Sequence, residues 1–319
     1  MKALVQTRYG AAAEVLRLDE IDVPEPAAGE VLIRVEAAGL GMHVWHMTTG
    51  RPLIARAFGG LRKPRAAVPR SDVAGVVEAL GPGVTELGVG NAVYGVAVGA
   101  LADYACARVD ELAPKPVSLT FAEAAAIPVS GCAALHGLRD VGRIEAGQHV
   151  LVLGASGGVG TFAVQLAKAF GAEVTGVCSG VNLNLVKLLG ADHVLDYTSD
   201  DVASGRDRYD LILDLAGRRP LRQLRRSLTP HGTVAIVGGE GGGPIMGGFQ
   251  RAILWAPLLS LVTRQRMRPV ISDEHSDDLQ VLTELVDAGH LTPIVNRAVR
   301  LEEAVQALAD LRVGHGRGK

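Results

Sequence analysis

The segment Leu153-Gly154-Ala155-Ser156-Gly157-Gly158-Val159-Gly160 carries the residue types that cradle a phosphate. Ala155, Gly157 and Gly160 fall on the G-x-G-x-x-G spacing. A tight turn and the close approach of a pyrophosphate both need bare backbone, and a helix opening there offers N–H donors with a partial positive charge. Ala155, Ser156, Gly157, Gly158, Val159 and Gly160 are therefore candidate contacts for a dinucleotide; the bland alternative is a glycine-rich turn that binds nothing. A site for NAD places an acid about 20 residues on, against the ribose 2′-hydroxyl. Here that stretch reads Cys178-Ser179-Gly180-Val181-Asn182, without a carboxylate. Ser179 and Asn182 can donate to a 2′-phosphate, and Lys187 and Tyr197 are further donors, so NADP(H) is the expected cofactor. Ser179 could instead cap the helix that follows.

Metal chemistry asks for a different set. His43 and His46 are spaced i, i+3 and could chelate, but no thiolate or partner carboxylate accompanies them. A catalytic zinc takes three protein ligands and an open fourth position, so no metal is expected. Cys106, Cys132 and Cys178 are scattered and odd in number, which speaks against a disulfide framework and for a reducing compartment. Net charge is −2, from 32 basic and 34 acidic residues, which argues against a nucleic-acid partner. The start Met1-Lys2-Ala3-Leu4-Val5 lacks the apolar run of a signal peptide. The most apolar later stretch, Ile253 to Val262, is flanked by Arg251 and Arg264 and is too short to span a bilayer. A soluble cytoplasmic protein is expected.

These residues need elements to hold them. A length of 319 residues suggests two domains with ample core. Forty glycines, about 12.5% of the chain against a usual share of roughly 7%, must serve backbone positions that a Cβ would block. Residues 1 to about 125 read as short strands, among them Val31 to Val35, Asp72 to Val77 and Asn91 to Val96, with closely spaced Gly and Pro turns. A small irregular barrel is expected there. Thr120-Phe121-Ala122-Glu123 is a capping-box pattern. Strands and helices then alternate: strands at 149–155, 173–179, 193–197, 209–216 and 233–237, helices at 159–170, 183–189 and 221–228. Nearly continuous apolar strands in that rhythm predict a doubly wound parallel sheet, an α/β fold. Beyond 240, helices are expected near 249–262, 277–288 and 302–311, and a strand at 294–301.

Several of these segments together resemble the medium-chain dehydrogenase/reductase superfamily, in its zinc-independent quinone oxidoreductase-like branch. They are Pro24-Glu25-Pro26 with Gly29 to Ile33, Asp72 to Val77, Ala126-Ile127-Pro128, the glycine loop, and Leu189-Gly190-Ala191-Asp192-His193-Val194. The resemblance covers essentially the whole chain. It implies a GroES-like catalytic domain (1–124), a Rossmann NADP-binding domain (125–265), and an edge strand with a C-terminal return to the first domain (266–319). Nicotinamide and substrate would share the cleft between domains. Ser130 is similar to a segment that meets the nicotinamide phosphate, and Ala216, Gly217, Gly238 and Gly239 end strands where open α/β sheets bind ligands. Arg317 and Lys319 resemble an Arg-Gly-Lys segment near the cofactor. Arg268 to Ile271 resembles an edge strand through which family members form homodimers.

Zinc-dependent members carry a Cys near position 41 and Gly-His-Glu near 71; this chain has Gly41 and Arg70-Ser71-Asp72. Without a Lewis acid, hydride delivery to a quinone or an α,β-unsaturated carbonyl is favoured over alcohol oxidation. The reductase branch shows Asn-Pro-x-Asp-Trp-His where this chain reads Gly41-Met42-His43-Val44-Trp45-His46, so the Asn and Asp are gone. Trp45 and His46 remain as catalytic-pocket candidates, His46 as a proton or hydrogen-bond donor or else as a packed histidine. Residues 51 to 70 carry six cations and no acid, which reads either as a lid for an anion or as a solvated loop. Ile253 to Leu259 could cap the cleft, join a dimer or be ordinary core. A catalytically silent NADPH-binding sensor or structural protein, an alcohol dehydrogenase and a tailoring reductase stay open as alternatives.

Overall fold

The protein, seen here as a computed structural model, is described over residues 1–200, 207–239, 243–261, 263–311 and 316–319, and counts refer to those residues. The β-rich first part holds β1 (Lys2–Val5), β2 (Arg17–Glu20), β3 (Glu30–Ala38), β4 (Ser71–Leu80), β5 (Ala92–Ala97), β6 (Tyr104–Arg108) and β7 (Leu112–Pro114). β1 and β2 pair with each other, and the rest form an antiparallel sheet in the order β6-β3-β4-β5-β7. Register shifts in the β3–β4 pair, at Leu32/Ile33 and Val35/Ala37, bend the sheet. Its concave face encloses Val31, Ile33, Val73, Val77, Val93 and Leu112, all buried. Helices here are short: α1 (Ala12–Val15), α2 (Met42–Thr49) and α3 (Arg56–Gly59).

The second sheet is parallel throughout and runs β10-β9-β8-β11-β12-β13. Its strands are β8 (His149–Leu153), β9 (Glu173–Cys178), β10 (His193–Asp196), β11 (Tyr209–Asp214), β12 (Leu228–Ile236) and β13 (Arg266–Pro269). Counted from β8, the order is 3-2-1-4-5-6, that of the dinucleotide-binding doubly wound fold. Order reverses between β8 and β11, and the crevice beyond their C-terminal ends is where such sheets take ligands. α6 (Gly158–Ala169) and α7 (Leu183–Leu188) follow β8 and β9, and α8 (Leu221–Arg226) and α9 (Ala256–Leu261) lie further along. Because β13 extends the sheet, the Rossmann unit reaches Pro269.

Two helices, α4 (Phe121–Ala124) and α5 (Pro128–His136), join the sheets. The Thr120–Glu123 capping box forms as the sequence predicts. The helical run Phe121–Gly142 is long and apolar enough to cross a bilayer, but 78% of its most apolar 18 residues are buried inside the protein, where it packs between the domains. α10 (Ser276–Asp287) covers the same seam, and α11 (Ala304–Asp310) returns to the first domain.

The strand expected at 294–301 does not form. Backbone groups of Ile294 and Asn296 bond Lys319 instead, and the rest of the segment has no ladder partner among the described residues. Tyr94, which the sequence places inside the first domain, is a bridge. Its buried hydroxyl donates to Leu279 O at 2.7 Å and lies 2.9 Å from Thr283 Oγ1, both on α10. Gly241 and Gly242 lie outside the described residues.

Candidate active site

β8 ends at Leu153 and is followed by Gly154, which turns with φ +93° because a tight reversal into α6 demands it. α6 then starts at Gly158 with no side-chain cap, so its first N–H groups stay available to an anion. A Cβ on Gly157 would meet only Gly154 O, at 3.6 Å, and one on Gly158 would lie 3.7 Å from Gly318 O. Gly160 has the opposite role. A Cβ there would fall 2.1 Å from Gly154 O, so the helix could not approach the turn. Ser130, on α5, brings its Oγ to 3.3 Å from the Cβ position of Gly158. Ala216 faces Gly154 across the crevice, Gly238 packs against Leu215 O, and Gly239 lies under the Phe249 ring. Ser130, Ala155 to Gly160, Ala216, Gly217, Gly238 and Gly239 are thus gathered at one edge of the sheet. This cradle, rich in N–H donors and lined by backbone without side chains, with residues 316–318 along one side, fits a dinucleotide.

At the end of β9, Ser179 and Asn182 are both buried. Asn182 Nδ2 donates to Ser156 Oγ, Ser179 Oγ and Gly316 O, at 3.2, 3.3 and 3.4 Å. Ser179 makes no capping bond to the turn that follows. Tyr197 is held nearby by its N–H to Cys178 O. Lys187 is not part of this corner, because its Nζ folds back onto Asp192 O at 2.6 Å. One group escaped the sequence reading. Asp196, at the end of β10, places Oδ2 2.6 Å from the Cβ position of Gly180. A carboxylate from the next strand thus lies beside the corner, a neighbour that linear spacing does not reveal.

The segment 316–319 runs along the glycine turn: Gly318 N donates to Ser156 O, and Ser156 Oγ to Gly316 O. Arg317 is exposed there. Lys319 turns inward and pairs through Nζ with Asp72 Oδ2, both side chains being almost fully buried. Asp72 Oδ1 also accepts from Val129 N at 2.7 Å, one residue before Ser130. Burial alone would raise the Asp72 pKa, but Lys319, His43 and the Val129 N–H outweigh it and hold the carboxyl below its ordinary value. An acid heading the apolar run Val73 to Val77 of β4, itself fully buried, was the available signal. Its partner, 247 residues away, was not readable.

His43, not His46, shares this cluster. Its Nε2 lies 3.0 Å from Ser71 Oγ and 3.7 Å from Asp72 Oδ2. Ser71 donates its single proton to Gly39 O, so Nε2 carries the hydrogen and Nδ1 is left as an acceptor. Desolvation, only partly offset by Asp72, pulls the His43 pKa down to about 4, so the ring is neutral at pH 7. His46 sits one turn on. Its Nδ1 donates to Arg51 O at 2.6 Å, and its ring meets Trp45 edge-on at 5.1 Å and Phe249 at 6.0 Å. His46 and Trp45 therefore wall the cleft on the Gly239 side, and the two histidines do not converge. Among the described residues no three His, Cys, Asp or Glu side chains come together as a metal site.

Two family models match the chain: the alcohol dehydrogenase GroES-like domain over residues 27–137 and the zinc-binding dehydrogenase family over 189–319. The chain is 32% identical to the chloroplast envelope quinone oxidoreductase homolog of Arabidopsis thaliana, covering 100% of this chain and 97% of that one. It is 31% identical to the NADPH-dependent alkenal/one oxidoreductase, chloroplastic, of the same plant, over 100% of this chain and 78% of the relative. The solved quinone oxidoreductase from Coxiella burnetii superposes with a TM-score of 0.85 at 28% identity, over 100% and 97% of the two chains. Fold, glycine turn and whole-length similarity agree: the chain belongs to the medium-chain dehydrogenase/reductase superfamily, in its zinc-independent quinone oxidoreductase-like branch.

Proposed function

We propose that the chain is an NADPH-dependent reductase that passes hydride to a quinone or an α,β-unsaturated carbonyl compound. The observation that carries the reading is a bare glycine turn at the edge of a parallel sheet, closed by a cleft floor of His43, Ser71, Asp72 and Lys319. Relatives named for quinones and for alkenals and alkenones support the acceptor class.

Bound in the crevice, NADPH supplies the hydride. Residues 157–160 would hold its pyrophosphate, Ser179, Asn182 and Tyr197 its 2′-phosphate corner, and Ser130, Gly217 and Gly239 its nicotinamide half. A conjugated acceptor spreads the incoming charge onto oxygen, so hydrogen-bond donors suffice where an alcohol would need a Lewis acid. α2 begins beside this floor with no side-chain cap, and its first-turn N–H groups can answer that charge. His43, neutral and with its one N–H committed to Ser71, is no standing acid at pH 7, and water is the proton source we propose.

The test is NADPH oxidation with a panel of quinones and enones after chelator treatment. Turnover that survives chelation is expected. Rates abolished by chelator and restored by zinc would overturn the reading, and NADPH binding without turnover would leave a nucleotide-binding sensor.

The assembly we propose is a homodimer. β13 leaves the outer edge of the parallel sheet open, and Trp255, Leu258 and Leu261 are exposed beside it. Light scattering would report twice the chain mass of 33.3 kDa. Three unpaired cysteines support a reducing, cytoplasmic location.

A further inference from the structure

The loop from 51 to 65 forms one lip of the cleft. Leu53 N donates to Pro244 O and Ile54 N to Ile245 O, so the lip is tied across to the opposite domain. Its turn is pinned from below. Gly59 packs on Met47, Tyr9 OH donates to Gly60 O at 2.5 Å, and Arg65 N donates to Gly59 O. Sinking the two glycines pushes their flanking neighbours outward: Phe58 is 74% exposed and Leu61 76%. Leu53 on the same lip and Ile245 on the segment it is tied to are exposed as well. Fixed backbone bonds thus hold large apolar side chains in water, which a loop with no partner has no reason to do.

The charge around them has one sign. Between Glu36 and Asp72 the chain has six Lys and Arg and no Asp or Glu, in a protein of net charge −2. Two of the six are used internally: Arg56 lies over the Tyr9 ring, and Arg70 pairs with Glu111 and Glu274. Arg51, Arg62, Lys63 and Arg65 are exposed, with no carboxylate within salt-bridge distance among the described residues. Protein interfaces deplete charge at their centre and gather their apolar area there into one core. Separate apolar tips ringed by cations match the headgroup layer of an anionic bilayer, where apolar side chains enter the acyl boundary and cations meet lipid phosphates.

We propose that this lip docks the protein on anionic lipid surfaces, with Phe58 and Leu61 inserted and Arg62, Lys63 and Arg65 on the headgroups. Docking there faces the cleft mouth to the bilayer, so an acceptor dissolved in lipid reaches it directly; this last step rests on the hydride-transfer reading.

The test is cosedimentation of the full chain with phosphatidylcholine vesicles and with vesicles containing phosphatidylglycerol, over a range of salt. Binding to the anionic vesicles alone, weakening with salt, is expected. The variants F58S/L61S and R62S/K63S/R65S should each lose roughly tenfold or more in partition, since acyl insertion and headgroup charge act together. Both should keep wild-type rates with a short-chain, water-soluble quinone and fall behind only with a long-chain quinone held in vesicles. Equal binding to both vesicle types, no binding, or undiminished binding by F58S/L61S would overturn the proposal. So would a change of oligomeric state in F58S/L61S, which would make the lip a protein interface. Vesicle binding by a protein that turns over no acceptor would sink the reductase reading and leave the docking standing.

Discussion

His43 changes what can be expected from pH. Its pKa drops from an ordinary 6.5 to about 4 in the folded chain. Between those values the unfolded chain binds the extra proton, so stability is full above pH 6.5 and is lost progressively as pH falls toward 4. The whole span amounts to roughly 3 kcal/mol. Denaturant unfolding at pH 7 and pH 4.5 should show that slope in the wild type and a flatter one in His43→Asn. Asp196 makes a second prediction. Its carboxylate lies beside Gly180 and would repel a 2′-phosphate bound there, so Asp196→Asn should raise the ratio of kcat/KM for NADPH over NADH, by roughly fivefold for about 1 kcal/mol. An unchanged ratio would place the carboxylate outside the 2′ corner. The sequence offered His43 only as half of a chelating pair and passed over Asp196, because the significance of each comes from a neighbour on another element.

The glycine turn was legible at the level of the element because its constraints are local. Spacing, the preceding strand and the helix start lie within a few residues, and the structure assembles Ala155 to Gly160 from them. Gly160→Ala should push α6 off the turn, and fluorescence titration should then show NADPH affinity down by more than tenfold. Gly157→Ala, with open space at its Cβ, should keep the fold but narrow the phosphate cradle, so the two variants separate packing from binding. The segment 294–301 misled for the opposite reason. It has the β-branched apolar residues of a strand, but a strand needs a ladder, and the partner found is Lys319. Lys187 was misplaced likewise: a long side chain in the right stretch of sequence found a nearer carbonyl.

Across the whole molecule, polar contacts of long sequence separation fasten the two domains. Tyr94 reaches Leu279, His136 bonds Asp278 at 2.8 Å, Arg70 meets Glu274 at 3.1 Å, and Lys319 meets Asp72. Breaking one partner of a buried ion pair costs about 3–5 kcal/mol, since the other charge stays desolvated. Lys319→Met should therefore lower Tm steeply, and Asp72→Asn combined with it should recover part of the loss; additive losses would show that the two do not act as a pair. Fold class could be read from strand rhythm because it depends on patterns repeated along the chain. The cleft floor could not, since it is written in residues 43, 71, 72 and 319. That same separation bears on biosynthesis. As the chain leaves the ribosome, Asp72 emerges 247 residues ahead of the ammonium that neutralises it. Until then its carboxylate is cheaper hydrated than buried, so the wall of the first domain that carries it stays open to water throughout translation of the second.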